Sequence, residues 1–260
     1  MFGICNLSIV PVRTEPSDKS ELSTQLIFGD AYAILEQSSN SKWLKIKNMF
    51  DQYEGWIDAI QHHEVNAAHF EAYLMTDHAI CYDDVAMIDG SSSSFLITYG
   101  STIPFLNGRN FKIGTNAYTF QGELYQNPTV NAEFVKFSAL RYMHAPYLWG
   151  GKTLFGVDCS GFVQQIFKIL GYKIMRDTYQ QAEHGVVVDS IANIQTGDLA
   201  FFENDLGKIV HVGMILDNNN IIHAHGSVRI DIVDEKGILN LSTRKYSHKL
   251  SQIKRILAFE

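Results

Sequence analysis

The segment from Asp158 to Gly171 constrains this chain more than any other stretch of its sequence. It follows a glycine-rich run and carries apolar residues at helical spacing, with a glycine at the expected stop. The apolar positions are Phe162, Val163, Ile166, Phe167 and Leu170. This pattern predicts a short buried helix with Cys159 in its first turn. Because unpaired backbone N–H groups and the helix dipole favour a thiolate there, we expect the pKa of Cys159 to lie below the ordinary value of about 8.5.

Two histidines far downstream are candidate partners for this thiol, since a thiolate needs a base that accepts its proton and later protonates the leaving amine. Residues 207–216 and 220–225 are typical of two strands joined by a turn at 217–220. An antiparallel hairpin would set His211 directly across from His223, with both side chains on one face. A loop with an even number of residues would break that parity.

The two histidines would have different roles. One would contact Cys159, and the second would hold the first in its working tautomer. His225 shares the face of His223 and is an alternative for the orienting role. Taken singly, a cysteine at a helix start or a histidine in a strand is more often a packing residue, but the combination favours catalysis. The other histidines are interpreted as surface or structural residues: His62, His63, His69, His78, His144, His184 and His248.

Three short motifs in a fixed order resemble those of the NlpC/P60 family of papain-like cysteine peptidases. They are Asp-Cys-Ser-Gly-Phe at 158–162, His-Val-Gly at 211–213 and Ile-His-Ala at 222–224. The resemblance spans about residues 130 to 240. The permuted lipid acyltransferase branch of this family places its histidine before its cysteine, so the order here excludes that branch.

This resemblance implies a role for each matching residue. Cys159 would be the nucleophile, His211 the general base and acid, and His223 the polar residue that orients His211. Tyr147 falls on the motif tyrosine whose hydroxyl lines the site, and with the backbone N–H of Cys159 it would support the oxyanion. The alternative for Tyr147 is a core aromatic. No metal and no cofactor are expected.

The resemblance also implies substrates from bacterial cell-wall peptides, cut at the bond between γ-D-glutamate and a diamino acid. Asp158, beside the nucleophile, either caps the helix or binds a cationic group such as a peptide amine. Ser160 is assigned to the same substrate-binding group. In the next segment, Arg176 would pair with a substrate carboxylate and Thr178 would hydrogen-bond the substrate.

The first half of the chain has the pattern of small β-barrels. Strands are predicted at 31–35, 42–46 and 53–57, and the segment from about 9 to 60 resembles a bacterial SH3 domain. Residues 79–124 are interpreted as a second, divergent SH3-like barrel. The predicted domains are therefore 1–62, a connector at 63–76, 77–127 and the catalytic domain at 128–260, whose first helix is placed near 129–142. The expected fold class is α+β, a papain-like NlpC/P60 domain with helices packed on an antiparallel sheet after two SH3-like β-barrels.

The composition of the chain limits the kinds of molecule that it is expected to bind. A net charge of -7 argues against nucleic acid and against an anionic membrane or wall polymer, since those select basic surfaces. Three cysteines are too few and too scattered for a disulfide framework or a zinc site. No run of about 18 apolar residues and no basic, apolar leader is present. We therefore expect a cytoplasmic monomer, with a secreted or periplasmic location as the alternative if a signal sequence was removed.

One branch of the family, which recycles cell-wall peptides in the cytoplasm, uses its first SH3 domain to narrow the cleft. The resemblance to it implies that Glu21 and Tyr53 join Asp158 in binding the free amine of an N-terminal L-alanine. The alternatives are a solvated loop charge for Glu21 and a barrel-surface aromatic for Tyr53. We therefore expect a γ-D-glutamyl-L-diamino acid endopeptidase. A secreted wall hydrolase, either an endopeptidase or an amidase, and an inactive peptidoglycan-binding protein are the alternatives.

Overall fold

A computed structural model of the protein describes residues 1–123 and 129–257. The chain divides into two compact units, each considered by itself below. The first contains Met1–Asn127 and Trp149–Thr153, and the second contains Pro128–Leu148 and Leu154–Glu260. The predicted domain boundary at 127/128 lies outside the described residues. Among those residues, no helix combines the length and the apolar character needed to cross a membrane.

The first unit begins with a seven-stranded antiparallel sheet in the order β3-β2-β6-β5-β4-β1-β7. Its strands are β1 (Phe2–Ile4), β2 (Ile9–Arg13), β3 (Leu22–Ile27), β4 (Ala31–Gln37), β5 (Trp43–Asn48), β6 (Glu54–Asp58) and β7 (Glu64–Val65). Strands β4, β5 and β6 confirm the three strands predicted from sequence. β7 lies inside the predicted connector and pairs with β1.

The rest of the first unit contains, within its described residues, one α-helix and two smaller sheets. The elements are α1 (Ala67–Leu74), β8 (Ala79–Ile80), β9 (Val85–Gly90), β10 (Ser94–Thr98), β11 (Thr102–Ile103), β12 (Asn110–Ile113) and β13 (Asn116–Phe120). Four strands pair in the order β10-β9-β13-β12, and β8 pairs with β11. Phe28 and Ile4 of the first sheet share one apolar core with Ile88 and Phe120. This shared core leaves the division into two separate barrels a prediction.

The second unit has few helices. They are α2 (Ala132–Leu140), α3 (Cys159–Ile169) and α4 (Thr178–Gln181). α3 confirms the predicted helix, with Asp158 as its N-cap and Gly171 in the left-handed region (φ 83°) just after its end. Every residue of α3 is buried because the helix packs against α2 on one side and strands on another. The rings of Phe162 and Tyr142 pack in a T-shaped arrangement, with 5.4 Å between their centroids.

The strands of the second unit form a closed six-stranded antiparallel barrel. They are β17 (Leu199–Glu203), β18 (Ile209–Asp217), β19 (Asn220–His225), β20 (Ser227–Asp234), β21 (Gly237–Asn240) and β22 (Lys245–Arg255), and pairing of β21 with β22 closes the ring. The shorter β14 (Lys152–Thr153) belongs to the first unit. The shorter β15 (Gly156–Val157) and β16 (Val186–Val187) belong to the second, and β16 pairs with β22. α3 packs on β18 and β19, the strands that carry the predicted histidines. The α+β prediction, with helices packed on an antiparallel sheet, is thus confirmed in part, since the sheet closes into a barrel and the helices are few.

Candidate active site

The thiol of Cys159 lies at the first position of α3 and is 6% exposed. Its Sγ is 3.8 Å from the hydroxyl oxygen of Thr178 and hydrogen-bonds with the backbone of Val212. Burial raises the pKa of Cys159, and the nearby Asp158 carboxylate raises it further. The predicted lowering of this pKa is therefore wrong for the resting site. The position at the helix start is as predicted, but desolvation outweighs it.

His211 and His223 share one face of the β18–β19 hairpin, but they are not directly opposite. The register pairs Met214 with Ile222, which places His223 beside Gly213 and makes the two histidines diagonal neighbours. The prediction that the two histidines lie directly opposite each other is therefore wrong. His223 lies opposite Gly213, two residues along β18 from His211. The Cβ atom that Gly213 lacks would lie 2.9 Å from Cβ of His223. Glycine at this position thus gives the His223 ring room to lean towards His211.

The common face depends on an irregularity beside the turn. Asn218 and Asn219 both have positive φ, 42° and 66°, which gives a two-residue loop of the kind that suits tight hairpins. Such an even loop alone would put the histidines on opposite faces. The register shifts between Ile215 and Asp217, where one extra residue enters β18. This bulge returns His211 and His223 to the same face of the hairpin.

A chain of hydrogen bonds continues from the two histidines into the barrel. Nε2 of His211 lies 2.9 Å from Nδ1 of His223, and Nε2 of His223 lies 3.1 Å from a carboxylate oxygen of Asp231. Asp231 is fully buried, and the Arg229 guanidinium donates to both of its oxygens at 2.7 and 2.9 Å. Burial alone would raise the pKa of Asp231, but hydrogen bonds from His223, Arg229 and the Leu241 backbone hold it at about 2. Asp231 is therefore ionised.

This ionised carboxylate fixes the tautomers of both rings. Asp231 can only accept, so Nε2 of His223 carries a proton and its Nδ1 does not. Nδ1 of His223 must then accept from Nε2–H of His211. The hydrogen-bond network thereby assigns the unprotonated nitrogen of neutral His211 to Nδ1. That nitrogen is the one that can accept a proton.

Burial also sets the charge state of the pair. It lowers the pKa of His211 well below its usual range, and the neighbouring histidines lower it further. Together with the raised pKa of Cys159, this favours a neutral thiol and a neutral imidazole at rest. His211 is accordingly suited to remove the thiol proton as attack begins, as a general base does.

His248 is part of this cluster, contrary to its interpretation as a surface or structural residue. Its ring stacks on that of His211 at 4.0 Å between centroids and 18° between planes. Burial lowers the pKa of His248 to about 4, with His223 and His225 adding to the effect. His225 itself is exposed, and Asp231 already occupies the second nitrogen of His223. The geometry therefore favours His223 over His225 for the orienting role.

Asp158 and Arg176 form a buried ion pair. The guanidinium of Arg176, which is 1% exposed, donates to the two oxygens of Asp158 at 3.0 and 2.6 Å and to the Ser160 hydroxyl at 2.8 Å. Asp158 also accepts from the backbone N–H of Gly161, which confirms the helix-cap alternative. In this structure the carboxylate partner of Arg176 is Asp158, and the pairing of Arg176 with a substrate carboxylate stays a prediction. Ser160 braces the same pair, so its substrate role stays a prediction.

Tyr147 and Thr178 both lie beside the thiol. Tyr147 is partly exposed and its backbone N–H donates to Gly226 at 3.0 Å. Burial raises its pKa, and the charges of Cys159 and Asp158 contribute. Tyr147 therefore keeps its phenolic proton and can donate a hydrogen bond. Thr178 contacts the sulfur directly, so it is placed beside the reacting atom while its substrate contact stays a prediction.

Glu21 and Tyr53 belong to the first unit. Glu21 is exposed and its carboxylate accepts a hydrogen bond from the indole N–H of Trp149, which belongs to the same unit. Tyr53 is half-buried just before β6, with its backbone N–H donating to Asp51 at 3.0 Å. Their approach to a bound amine stays a prediction.

Sequence reasoning missed Asp231, Arg229 and His248. A signal existed for the first two, since Arg229 and Asp231 alternate along a strand that is otherwise apolar. The β19–β20 register pairs His223 with Arg229, which puts Asp231 diagonal to His223 on the same face. His248 comes from β22, far along the chain. His248 approaches His211 only because of the strand order of the whole barrel, so no local sequence pattern indicates the contact.

The fold, the buried thiol at the start of α3 and the hydrogen-bonded relay of His211, His223 and Asp231 define a cysteine peptidase. The family model described as "NlpC/P60 family" matches residues 144–252, and "Bacterial dipeptidyl-peptidase Sh3 domain" matches residues 12–60. The chain belongs to the NlpC/P60 family. It combines that peptidase domain with an N-terminal bacterial SH3 domain.

Three proteins illustrate the similarity. A gamma-D-glutamyl-L-lysine dipeptidyl-peptidase of Bacillus cereus (strain ATCC 10987 / NRS 248) is 27% identical over 93% of this chain and 77% of its own length. A probable endopeptidase of Haemophilus influenzae is 33% identical over 50% of this chain and 81% of its own. The crystal structure of an NlpC/P60 family protein from Bacillus cereus superposes with a TM-score of 0.82 at 23% identity, covering 99% of this chain and all of that one. This last likeness shows the fold.

Proposed function

We propose that this cysteine peptidase hydrolyses the γ-D-glutamyl–diamino acid bond of free cell-wall peptides that begin with L-alanine. The observation that carries the proposal is the similarity, over 93% of the chain, to a gamma-D-glutamyl-L-lysine dipeptidyl-peptidase. It is supported by the match of residues 12–60 to the SH3 domain of bacterial dipeptidyl-peptidases. Enzymes so named release a dipeptide, which requires an unextended amino end on the substrate.

The site geometry supports the chemical steps. His211 takes the proton of Cys159 at Nδ1 while the sulfur attacks the γ-carbonyl carbon of glutamate. The oxyanion lies near the backbone N–H of Cys159, at the positive end of α3, and near the Tyr147 hydroxyl. His211 then protonates the departing amine of the diamino acid, leaving an acyl-enzyme on sulfur. Water activated by the same nitrogen hydrolyses the thioester and releases the L-Ala-γ-D-Glu dipeptide.

Recognition of the free amine is assigned to Glu21 and Tyr53. Asp158 was a third candidate, but its two oxygens are engaged by Arg176, so its charge is already balanced. A carboxylate and a phenolic oxygen are suitable acceptors for an ammonium group. An acetylated or extended amino end would lose both contacts, which excludes intact cross-linked wall.

We place the enzyme in the cytoplasm, where it would act as a monomer in the recycling of cell-wall peptides. Its net charge of -7 fits small soluble peptides better than an anionic wall polymer. A secreted wall hydrolase would share the same relay and use its SH3 domain as an anchor. Sedimentation with insoluble sacculi separates the two, because an anchored enzyme pellets with the wall and a recycling enzyme stays in solution.

The first experiment tests the reaction itself. L-Ala-γ-D-Glu-L-Lys and its meso-diaminopimelate counterpart are incubated with the wild-type protein and with Cys159→Ala, and products are read by mass spectrometry. We expect the wild type to release L-Ala-γ-D-Glu and Cys159→Ala to release none. Cys81→Ala, which removes a buried thiol of the first unit, is the control and should remain active. Equal dipeptide release by the Cys159 variant would overturn the proposal.

The second experiment tests amine recognition with the N-acetylated peptide and Glu21→Gln. Loss of one charged hydrogen bond of about 1.5–3 kcal/mol corresponds to roughly 10- to 150-fold in kcat/KM. We expect this loss on the free-amine peptide and little change on the acetylated one, which is already poor. Glu54→Gln is the control, because Glu54 is in the same unit and pairs with Lys45. If the acetylated peptide is cut as well as the free one, the assignment of Glu21 and Tyr53 fails.

A further inference from the structure

Two elements besides α3 supply polar groups to the sulfur of Cys159. Thr178 is the first residue of α4, and its hydroxyl oxygen lies 3.8 Å from Sγ. The backbone of Val212 in β18 supplies a second hydrogen bond to the sulfur. Cys159 and Thr178 are only 6% and 9% exposed. The sulfur thus lies in a buried site where a side-chain hydroxyl and a backbone group converge on it.

The position of the Thr178 hydroxyl is fixed by the helix that carries it. The amide of Gln181 in the same helix donates to the backbone oxygen of Ser160 at 3.0 Å and to that of Met175 at 2.8 Å. Gln181 is fully buried, and Ser160 directly follows Cys159 in the first turn of α3. α4 also packs against both α3 and β18. The hydroxyl is therefore held beside the sulfur by contacts in which neither group takes part.

The hydrogen bond between these two groups depends on the charge of the sulfur. In the neutral state either atom can donate, since a hydroxyl and a thiol each carry one proton. Once the sulfur loses its proton it can only accept, so the Thr178 hydroxyl must donate. Hydrogen bonds to a charged acceptor are shorter and roughly twice as strong as neutral ones. The contact therefore stabilises the thiolate more than the thiol, and a difference of this kind accelerates a reaction.

Such a group matters here because other features of the site oppose ionisation. Burial raises the pKa of Cys159, and the Asp158 carboxylate raises it further. Among the groups that lower this pKa, the Thr178 hydroxyl has the largest effect, ahead of the Val212 backbone and the charge of Arg176. Arg176 is in addition engaged by Asp158. Thr178 is thus the side chain best placed to stabilise negative charge on the sulfur.

We propose that Thr178 is a catalytic residue whose hydroxyl donates a hydrogen bond to Sγ of Cys159 and stabilises the attacking thiolate. The sulfur proton passes to Nδ1 of His211, and Thr178 keeps its own proton. A sulfur lone pair then forms the bond to the carbonyl carbon while the C=O pair moves to oxygen. The role in peptide cleavage rests on the proposed function, whereas stabilisation of the thiolate does not.

Alkylation of Cys159 by iodoacetamide tests the thiolate without any peptide substrate. Thr178→Val has nearly the shape of threonine but lacks the hydroxyl, whereas Thr178→Ser keeps the hydroxyl and lacks the methyl group. Losing a hydrogen bond to a charged group lowers the ionised fraction about 10-fold or more. A more basic thiolate is also more nucleophilic, so we expect alkylation of Thr178→Val at pH 8 to be about fourfold slower or more. Thr178→Ser should react about threefold faster than Thr178→Val.

Full-length proteins are compared, with circular dichroism to confirm folding and mass spectrometry to distinguish Cys159 from Cys5 and Cys81. Thr243→Val alters an exposed threonine of the same unit and is the control, which should react at the wild-type rate. Thr178→Ala also removes the hydroxyl and should also react more slowly than the wild type, so a folding failure of Thr178→Val leaves the test intact. Equal rates for the wild type and Thr178→Val, or for Thr178→Ser and Thr178→Val, would overturn the proposal.

Cleavage of the free-amine peptide is measured in parallel. Thr178→Val should lower kcat about 10-fold or more, and Thr178→Ser should recover part of that loss. If kcat/KM falls while alkylation is unchanged, the hydroxyl acts on the substrate and the proposal is wrong. If the wild type cleaves no γ-glutamyl peptide but Thr178→Val still slows alkylation, the proposed function fails and the role of Thr178 stands.

Discussion

Replacing Asp231 with asparagine tests the relay at its most buried point. Asp231→Asn keeps the size of the side chain but removes the charge that holds the proton on Nε2 of His223. The new amide can donate to that nitrogen instead, which would move the His223 proton to Nδ1. Two N–H groups would then face each other between His223 and His211. Relief of that conflict puts the His211 proton on Nδ1, where it blocks the base.

The size of the effect can be bracketed. Losing one charged hydrogen bond of about 1.5–3 kcal/mol gives roughly a 10- to 150-fold loss of kcat. If the wrong tautomer dominates, the loss approaches the ~10⁴-fold seen when the aspartate that directly contacts the base of a serine peptidase triad is changed to asparagine, although Asp231 acts on His211 through His223. KM should change little, because Asp231 is fully buried and cannot touch substrate. A loss confined to kcat separates a positioning role from general damage to the binding site.

The assay is steady-state release of the dipeptide, with the melting temperature recorded in parallel. Asp234→Asn is the matched control, since Asp234 lies on the same strand and accepts from the Tyr246 hydroxyl and the Lys236 backbone. We expect the control to keep kcat within twofold. A folded Asp231→Asn protein with kcat within threefold of the wild type would refute the tautomer assignment.

Three further outcomes follow from the site. Because burial raises the pKa of Cys159, its alkylation by iodoacetamide should be slow at pH 7 in the folded protein and should accelerate only above the ordinary thiol range of about 8.5, followed by mass spectrometry. Gly213→Ala should cost about 1–3 kcal/mol of unfolding free energy and lower kcat, since the new methyl group would press against His223. Arg176→Met should cost about 3–5 kcal/mol in urea unfolding, because it leaves the Asp158 carboxylate buried without its cation.

Each of these three predictions has a result that would contradict it. Alkylation of Cys159 at pH 7 as fast as in the unfolded chain would show that its pKa is not raised in the folded protein. An unchanged kcat in Gly213→Ala would show that the His223 ring does not need the space. Arg244→Met is the control for Arg176, since Arg244 lies on an exposed turn, and equal stability of the two variants would contradict the buried ion pair.

The parts of the site that could be predicted are those indicated by the spacing of residues close together in the sequence. Helix α3 and its start at Cys159 follow from apolar spacing, a cap and a glycine stop, all within a few residues. A common face for the two histidines could be predicted only for a loop with an odd number of residues, and the bulge gives the same parity to the even loop present here. Their register could not be predicted, because one added residue beside a turn shifts the pairing and leaves no compositional mark.

Burial and long-range partners account for the other differences. The sign of the Cys159 pKa shift depends on how deeply the helix start is buried, which the sequence does not show. Arg176 was correctly singled out, but its partner proved to be Asp158, because a buried cation takes the nearest carboxylate. His248 reaches His211 only because the barrel closes around them.

Because of the bulge in β18, the relative orientation of His211 and His223 depends on the number of residues in this hairpin. Deleting the extra residue would turn His211, together with the apolar residues of β18 on either side of it, to the opposite face relative to His223. Adding one residue to the turn at the same time would restore the pair. A single insertion or deletion here therefore separates the two histidines unless a second one compensates for it. When relatives are aligned, the count of residues between the two histidines is more informative than their identity.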